Sequence, residues 1–350
     1  MQTSGMNAAL ASWLDLFARS PDVYPHKLDP ARALALLVRT QESAYRSASF
    51  LDDRFLTGNP DGIWAPVAAL QAASERIDCG RPLHFIFHTG HVGSTLVSRL
   101  LDAVAPILSL REPLPLRTLA DISDATSADF APSAALFARL WSRGYAHTRA
   151  VVLKATSSTG RIAAPLLQLL PTARAVYMNL GAEPYLATLL AGENSMRDLR
   201  GYAAARERRL RAYLPAVSAL PAITSAGELA AMSWLVETWS QQAALQAMPE
   251  RVLAVDFADF LQDVRRGMAQ IAAHLGLQVD PAAVRDINNS PALARYSKAQ
   301  EHAYTVQTRS EILRESRQHN AVEIARGLAW LGAMARIDNA AGAIVAAAIR

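Results

Sequence analysis

The stretch FIFHTGHVGSTLVSRLL, residues 85–101, holds the residue types from which an anion site can be built. Gly90 and Gly93 let the backbone approach a ligand closely and take positive φ. Ser94 and Thr95 add hydroxyl donors where a helix would begin. The free N–H groups of a helix's first turn, backed by the positive end of its dipole, attract oxyanions. A buried strand, a glycine loop and an amphipathic helix, in that order, make a phosphate cradle, expected here over Gly90, His91, Val92, Gly93, Ser94 and Thr95. This is not a Walker A motif, which would need glycine at His88 and lysine at Ser94. The missing lysine would balance β/γ charge in ATP hydrolysis.

Other residues could act at the same place. Glu112 stands just past the apolar run ILSL, where open α/β sheets place their ligands. It reads either as a general base or as a surface carboxylate beside Arg111. Lys154 ends AVVLK, and a buried lysine needs a partner, so a phosphate or sulfate contact is expected. His91 could donate to a transferring group if protonated, or only order the turn. His84, His88 and His91 suggest H-x3-H-x2-H metal spacing, but four strand residues span about 13 Å, so His84 and His88 cannot share an ion. No metal site is expected. RVLAVD, ending at Asp256, superficially resembles a Walker B strand. The arginine-rich stretch MRDLRGYAAARERRLRAYL reads as a solvated helix face with one or two arginines turned to the nucleotide. Residues 294–309, with Tyr296, Lys298, His302, Tyr304 and Arg309, read as a lid or as a polar connection.

The loop resembles the 5′-phosphosulfate loop of the sulfotransferases: Lys or Arg, Ser or Cys, Gly, two of Ser or Thr, then Leu or Trp. Here it reads His91-Val92-Gly93-Ser94-Thr95-Leu96. The resemblance runs on through SRLLDAVAPILSLREP, and bacterial sulfotransferase-like proteins and tyrosylprotein sulfotransferases both carry a glutamate at the distance of Glu112. VVLKATSS resembles the lysine-bearing strand, with Lys154 in place. LLPTARAVYMNLGAEPYLATLL is similar to the segment that grips a 3′-phosphate, and VLAVDFADFLQDVRRGMAQIAAHLGL to a C-terminal segment, so that residues 82–280 are covered. Three positions depart from the pattern. His91 replaces the loop cation, Leu180 the 3′-phosphate arginine (with Thr188 for its serine), and Ala258 a glutamate beside Asp259.

The resemblance implies 3′-phosphoadenosine 5′-phosphosulfate as co-substrate, a small-molecule hydroxyl or amine acceptor, and no metal. It implies Glu112 as base, with Lys154 and His91 stabilising charge. Residues 90–95 and Thr188 would hold the nucleotide, and the missing cation would come from Arg161, Arg197, Arg200 or Lys298. Two other readings remain: an ATP- or GTP-dependent phosphotransferase or hydrolase, and a non-catalytic relative that lost the donor site.

The elements that must position these residues follow from pattern. The runs LHFIF, ILSL, AVVLK, ARAVYM and RVLAV alternate with helical stretches such as IAAPLLQLL, which predicts a parallel sheet of P-loop α/β type flanked by helices. Residues 1–80 read as a helical cap: a helix after Asp29-Pro30 through ARALALLVRT, another through ESAYRSASFLDDRFL to the Gly58-Asn59-Pro60 break, and a third in PVAALQAASERI. The core spans 81–280 and a helical extension 281–350. Capping signals stand at Ser225 with Glu228, at Asp280-Pro281, and at Asn320 with Glu323.

Composition sets the outer bounds. Apolar residues make up 51% and charged ones 19% of 350, which suits a packed globular protein. A net charge of +4 is too thin for a nucleic-acid surface. One cysteine, Cys79, rules out an internal disulfide. The first residues do not read as a secretory signal and no run of about 18 apolar residues occurs, so a cytoplasmic protein without a membrane partner is expected. The oligomeric state is not legible.

Overall fold

The computed structural model describes residues 2–56, 61–77, 80–124, 128–299 and 301–347, with side chains from residue 8 onward. Cys79 and the Gly58-Asn59-Pro60 break lie outside them.

Strands β1 (Val23–Asp29), β2 (Leu34–Arg39) and β3 (Gly62–Pro66) form an antiparallel sheet in that order. Strands β4 (Leu83–His88), β5 (Ile107–Arg111), β6 (Ala150–Lys154), β7 (Ala175–Asn179) and β8 (Val252–Asp256) form a parallel sheet ordered β5-β6-β4-β7-β8. The expected parallel α/β architecture is thus present, with β4 in the middle. Buried on both faces, its inner strands read as continuous apolar runs. Alternate side chains feed two cores. Ile86, Val152 and Met178 face the helix Ser94–Val104, whereas Phe85, Phe87, Val151 and Tyr177 share a core with Tyr24, Leu37 and Trp141.

The N-terminal part differs from the expected helical cap. The segment after Asp29-Pro30 turns through Ala33 (φ 51°) into β2, and Leu37 and Val38 are buried while Arg39 is exposed. Pairing with a strand on either side outweighs a local helix-start signal. Of ESAYRSASFLDDRFL only Glu42–Ser47 is helical, with a short turn at Asp53–Phe55, while Val67–Ser74 is the third helix expected.

Ser225 and Glu228 form their capping box at the head of Ala226–Ala247, and Asp280 caps Pro281–Arg285. Asn320 precedes Ala321–Ile337 without capping it. Its amide donates to Leu190 O and Ser316 Oγ, and Glu323 accepts from Gly227 N, so both polar groups join the helix to the core.

Candidate functional site

Strand register brings three elements to one edge. Arg111 lies opposite Lys154, Lys154 opposite Ile86, and His88 opposite Met178, so the segments after β4, β5 and β6 emerge together. The segment after β4 is the glycine loop. Gly90 (φ 105°), His91 (φ 55°) and Gly93 (φ 71°) take left-handed conformations that turn successive amides inward. Gly93 is required twice over, because a Cβ there would stand 2.0 Å from Cε2 of Phe257. Ser94 and Thr95 open the helix Ser94–Val104 and are 4% and 1% exposed. Among the described residues, the backbone N–H groups of residues 91–96 donate to no protein acceptor. The buried hydroxyls of Thr89 and Thr95 also lack partners. Buried donors left open in this way are a cost that a bound anion would remove.

At the same sheet edge, but outside the lining of the cavity over the loop, stands a buried ion pair. Lys154, fully buried at the end of β6, donates to Glu112 Oε1 at 2.5 Å, and Arg117 Nη2 lies 3.6 Å from Oε2. Glu112 is 6% exposed, with φ 54° and its own N–H bonded to Lys154 O. It is not the surface carboxylate that one reading allowed. Burial pushes its carboxyl up, but Lys154, Lys298 and Arg117 outweigh burial and hold it below its ordinary value. Lys154 is depressed to about 8 by burial, with Lys298 and Arg111 opposing the help of Glu112. Lys154 is paired with the carboxylate, and Lys298 acts on it only through its field.

His91 contributes no positive charge in this state. Burial, then Lys298, lowers it to about 3, so the protonated donor considered from sequence is a neutral imidazole, with Nδ1 3.4 Å from Ser195 Oγ. The three histidines do not converge. Nδ1 of His84 accepts from Arg174 N, and Nε2 of His88 donates to Ala155 O. No group of three or more His, Cys, Asp or Glu that could hold a metal occurs among the described residues.

A cavity of about 430 Å³ opens over the loop. Its floor is residues 91–96, its sides include Thr188, Phe257 and Leu261, and its roof is drawn from residues 292–298 and 302–306. Within that roof Arg295 bridges Ala303, Tyr296 stands edge-on to Tyr304, and Ser297 O accepts from Arg99 Nε. Both readings of this segment, lid and polar connection, agree with its place along the cavity. The segment lines the cavity with Arg295, Lys298 and His302, and Lys298 presses electrostatically on His88, His91, Lys154 and Glu112.

The other candidate cations stand elsewhere. Arg161 is held by Asp121 and Asp124; Arg197 is exposed and outside the cavity lining; Arg200 borders a different hollow. In the arginine-rich stretch, Arg206 and Arg209 turn inward to Asp198 and Glu237, not toward the cavity. Thr188 lines the cavity but donates its hydroxyl to Pro184 O, and Leu180 is buried. Asp256 caps the following helix by accepting from Ala258 N and Asp259 N, which accounts for an acid after an apolar strand.

One cation named from sequence only as part of the lid takes a larger place. Arg309 lines the cavity, lies 5.1 Å over the Phe257 ring, and has a buried Nη2 without a partner. Sequence gave no signal for the Phe257 contact, which joins residues 52 positions apart.

Among the described residues no helix is long and apolar enough to cross a membrane. No family model and no curated protein matches the chain. Several solved structures do. A sulfotransferase from Alicyclobacillus acidocaldarius is 16% identical, with 78% of this chain and 100% of that one covered at TM-score 0.39. The sulfotransferase domain of the curacin biosynthetic pathway is 13% identical, covering 72% and 98%, at 0.38. Mouse sulfotransferase SULT7A1 complexed with PAP is 11% identical, covering 81% and 96%, at 0.37. The chain is similar to these proteins, all sulfotransferases by name and thus of the family its loop resembles, while the fold assignment stands on the strand order and loop described above.

Proposed function

We propose that the protein transfers a sulfuryl group from 3′-phosphoadenosine 5′-phosphosulfate to a hydroxyl or amine of a small acceptor. The observation that carries this reading is the set of unclaimed backbone N–H groups at residues 91–96, facing a cavity with cations in its roof. A cavity of about 430 Å³ is in the range of small-ligand sites. The orphaned Thr95 hydroxyl and the open amides fit a phosphosulfate end, and the unpartnered Nη2 of Arg309 fits the 3′-phosphate that Leu180 cannot hold.

The donor supplies the reactive sulfuryl group. The residues of this chain divide the remaining work. Residues 91–95 bind the 5′ end by neutral N–H and O–H donors. Lys298 from the roof offsets the negative charge that grows on the oxygen whose bond to sulfur breaks, and Lys154, fully buried and outside the cavity lining, adds its charge at longer range. Glu112, kept ionised by those lysines, accepts the acceptor's proton at Oε2, since Oε1 is held by Lys154. Burial of both groups keeps water from competing.

Calorimetric titration with adenosine 3′,5′-bisphosphate tests the binding half. Micromolar binding is expected, with 5′-AMP weaker by about tenfold or more, as losing charge-assisted contacts requires. No heat at millimolar ligand would overturn the reading. Magnesium-dependent turnover of ATP in its place would point to phosphoryl transfer.

A further inference from the structure

His88 is buried at the end of β4, and its ring makes two bonds that tie three parts of the site together. Nδ1 accepts from Gly90 N at 3.1 Å, and Nε2 stands 2.9 Å from Ala155 O, next to Lys154. A carbonyl only accepts, so Nε2 carries the hydrogen and Nδ1 offers its lone pair. Gly90 is the first residue of the loop with positive φ, and its amide is the only one of residues 90–96 that a protein atom claims among the described residues. Thr89 N, one residue earlier, bonds Met178 O of β7. The loop therefore leaves the sheet held to β7 by the backbone and to the β6 exit by an imidazole.

We propose that His88, as its neutral Nε2–H tautomer, is a positioning residue that turns the Gly90 peptide away from the ligand and so leaves the amides of residues 91–96 free to converge. It touches neither ligand nor reacting atoms. It rests on the proposed function only in that the loop holds an oxyanion; the sulfuryl group is not required. Burial first, then Lys154 and Lys298, drives His88 well below the ordinary histidine value, which keeps Nδ1 an acceptor at neutral pH. A cation there would have a donor facing the Gly90 N–H, and the turn would open.

The two bonds can be separated by substitution. Asn places a carbonyl oxygen near the position of Nδ1, and Gln places an amide nitrogen near that of Nε2. His88→Asn keeps the acceptor for Gly90 and loses the bond to Ala155; His88→Gln does the reverse. Each variant is to be titrated with adenosine 3′,5′-bisphosphate and melted. His88→Asn is expected to bind within about threefold of the parent, and His88→Gln to bind about tenfold weaker at equal or higher melting temperature, the size of one hydrogen bond. A merely structural role would make affinity follow melting temperature in both. The proposal is overturned if His88→Asn fails to fold or bind, if His88→Gln binds as the parent does, or if imidazole ¹⁵N shifts of the parent place the hydrogen on Nδ1. Failure of the parent to bind is a different result and removes the proposed function itself.

Discussion

The loop at residues 88–96 and the roof at residues 292–309 face each other across one cavity but are built in opposite ways. The loop offers neutral donors on a rigid frame: three left-handed residues, a glycine under an aromatic ring, and a helix start buried to within a few per cent. The roof side offers formal charge on long side chains outside the parallel sheet, Arg295 and Lys298 ahead of the helix Val306–His319 and Arg309 in its first turn. Where the resembled loop carries a cation, this one has an imidazole that burial holds neutral. The lesson is that an anion site can divide shape from charge, so that damage to one side should alter geometry and damage to the other only affinity.

The sharpest way to break that division is Gly93→Ala. Its Cβ would meet Phe257 and its φ of 71° disfavours any side chain, so stability should fall by about 2–4 kcal/mol and adenosine bisphosphate affinity by about 100-fold or more. Adding Phe257→Ala should restore melting temperature more than binding. Next is the buried pair. Glu112→Ala leaves Lys154 uncompensated and should cost about 3 kcal/mol in denaturant melts, while Lys154→Met in the same chain should recover most of it without restoring transfer.

The roof should behave differently. Lys298→Met and Arg309→Met are each expected to weaken the bisphosphate by about tenfold with melting temperature nearly unchanged, since each removes a charge-assisted contact while methionine keeps an apolar stem, over Phe257 in the case of Arg309. A melting temperature that falls with affinity would erase the contrast between the two sides.

A pH series sharpens the same comparison. Lys154 is depressed to about 8 in the fold, against about 10.4 when free, so the unfolded chain binds more protons between those values. Relative to Lys154→Met, the parent should therefore gain stability as pH rises through that window. Glu112 is lowered in the fold, so its share of stability is present above about pH 4.3 and is lost as pH falls through its folded value. The smallest effect belongs to His91. His91→Asn should change affinity by about threefold or less, because a neutral ring gives up one hydrogen bond at most.

How far the sequence spoke depended on how local each feature was. The inner parallel strands were legible because burial on both faces leaves an uninterrupted apolar run, the edge strand β8 because its run VLAV is apolar though partly exposed, and the loop because glycines and hydroxyls act through their own backbone. The hairpin at 23–39 was not. Val23–Asp29 contains Pro25, a register shift and three polar or charged residues, and the Asp-Pro signal that follows belongs equally to a turn. Its identity is set by pairing with β3, some 25 residues on. The place of Arg309 was unreadable for a like reason, since only tertiary packing sets it over Phe257. Glu112 was half legible: its position after β5 was plain, its burial against Lys154 was not.

The most direct measurement is amide NMR of ²H,¹⁵N-labelled protein titrated with adenosine 3′,5′-bisphosphate. The N–H resonances of residues 92–96 should move downfield together, saturating at one ligand per chain, while Gly90, already bonded to His88, moves least. Shifts confined to the roof, with residues 92–96 unmoved at saturation, would show that the loop is not where the anion sits.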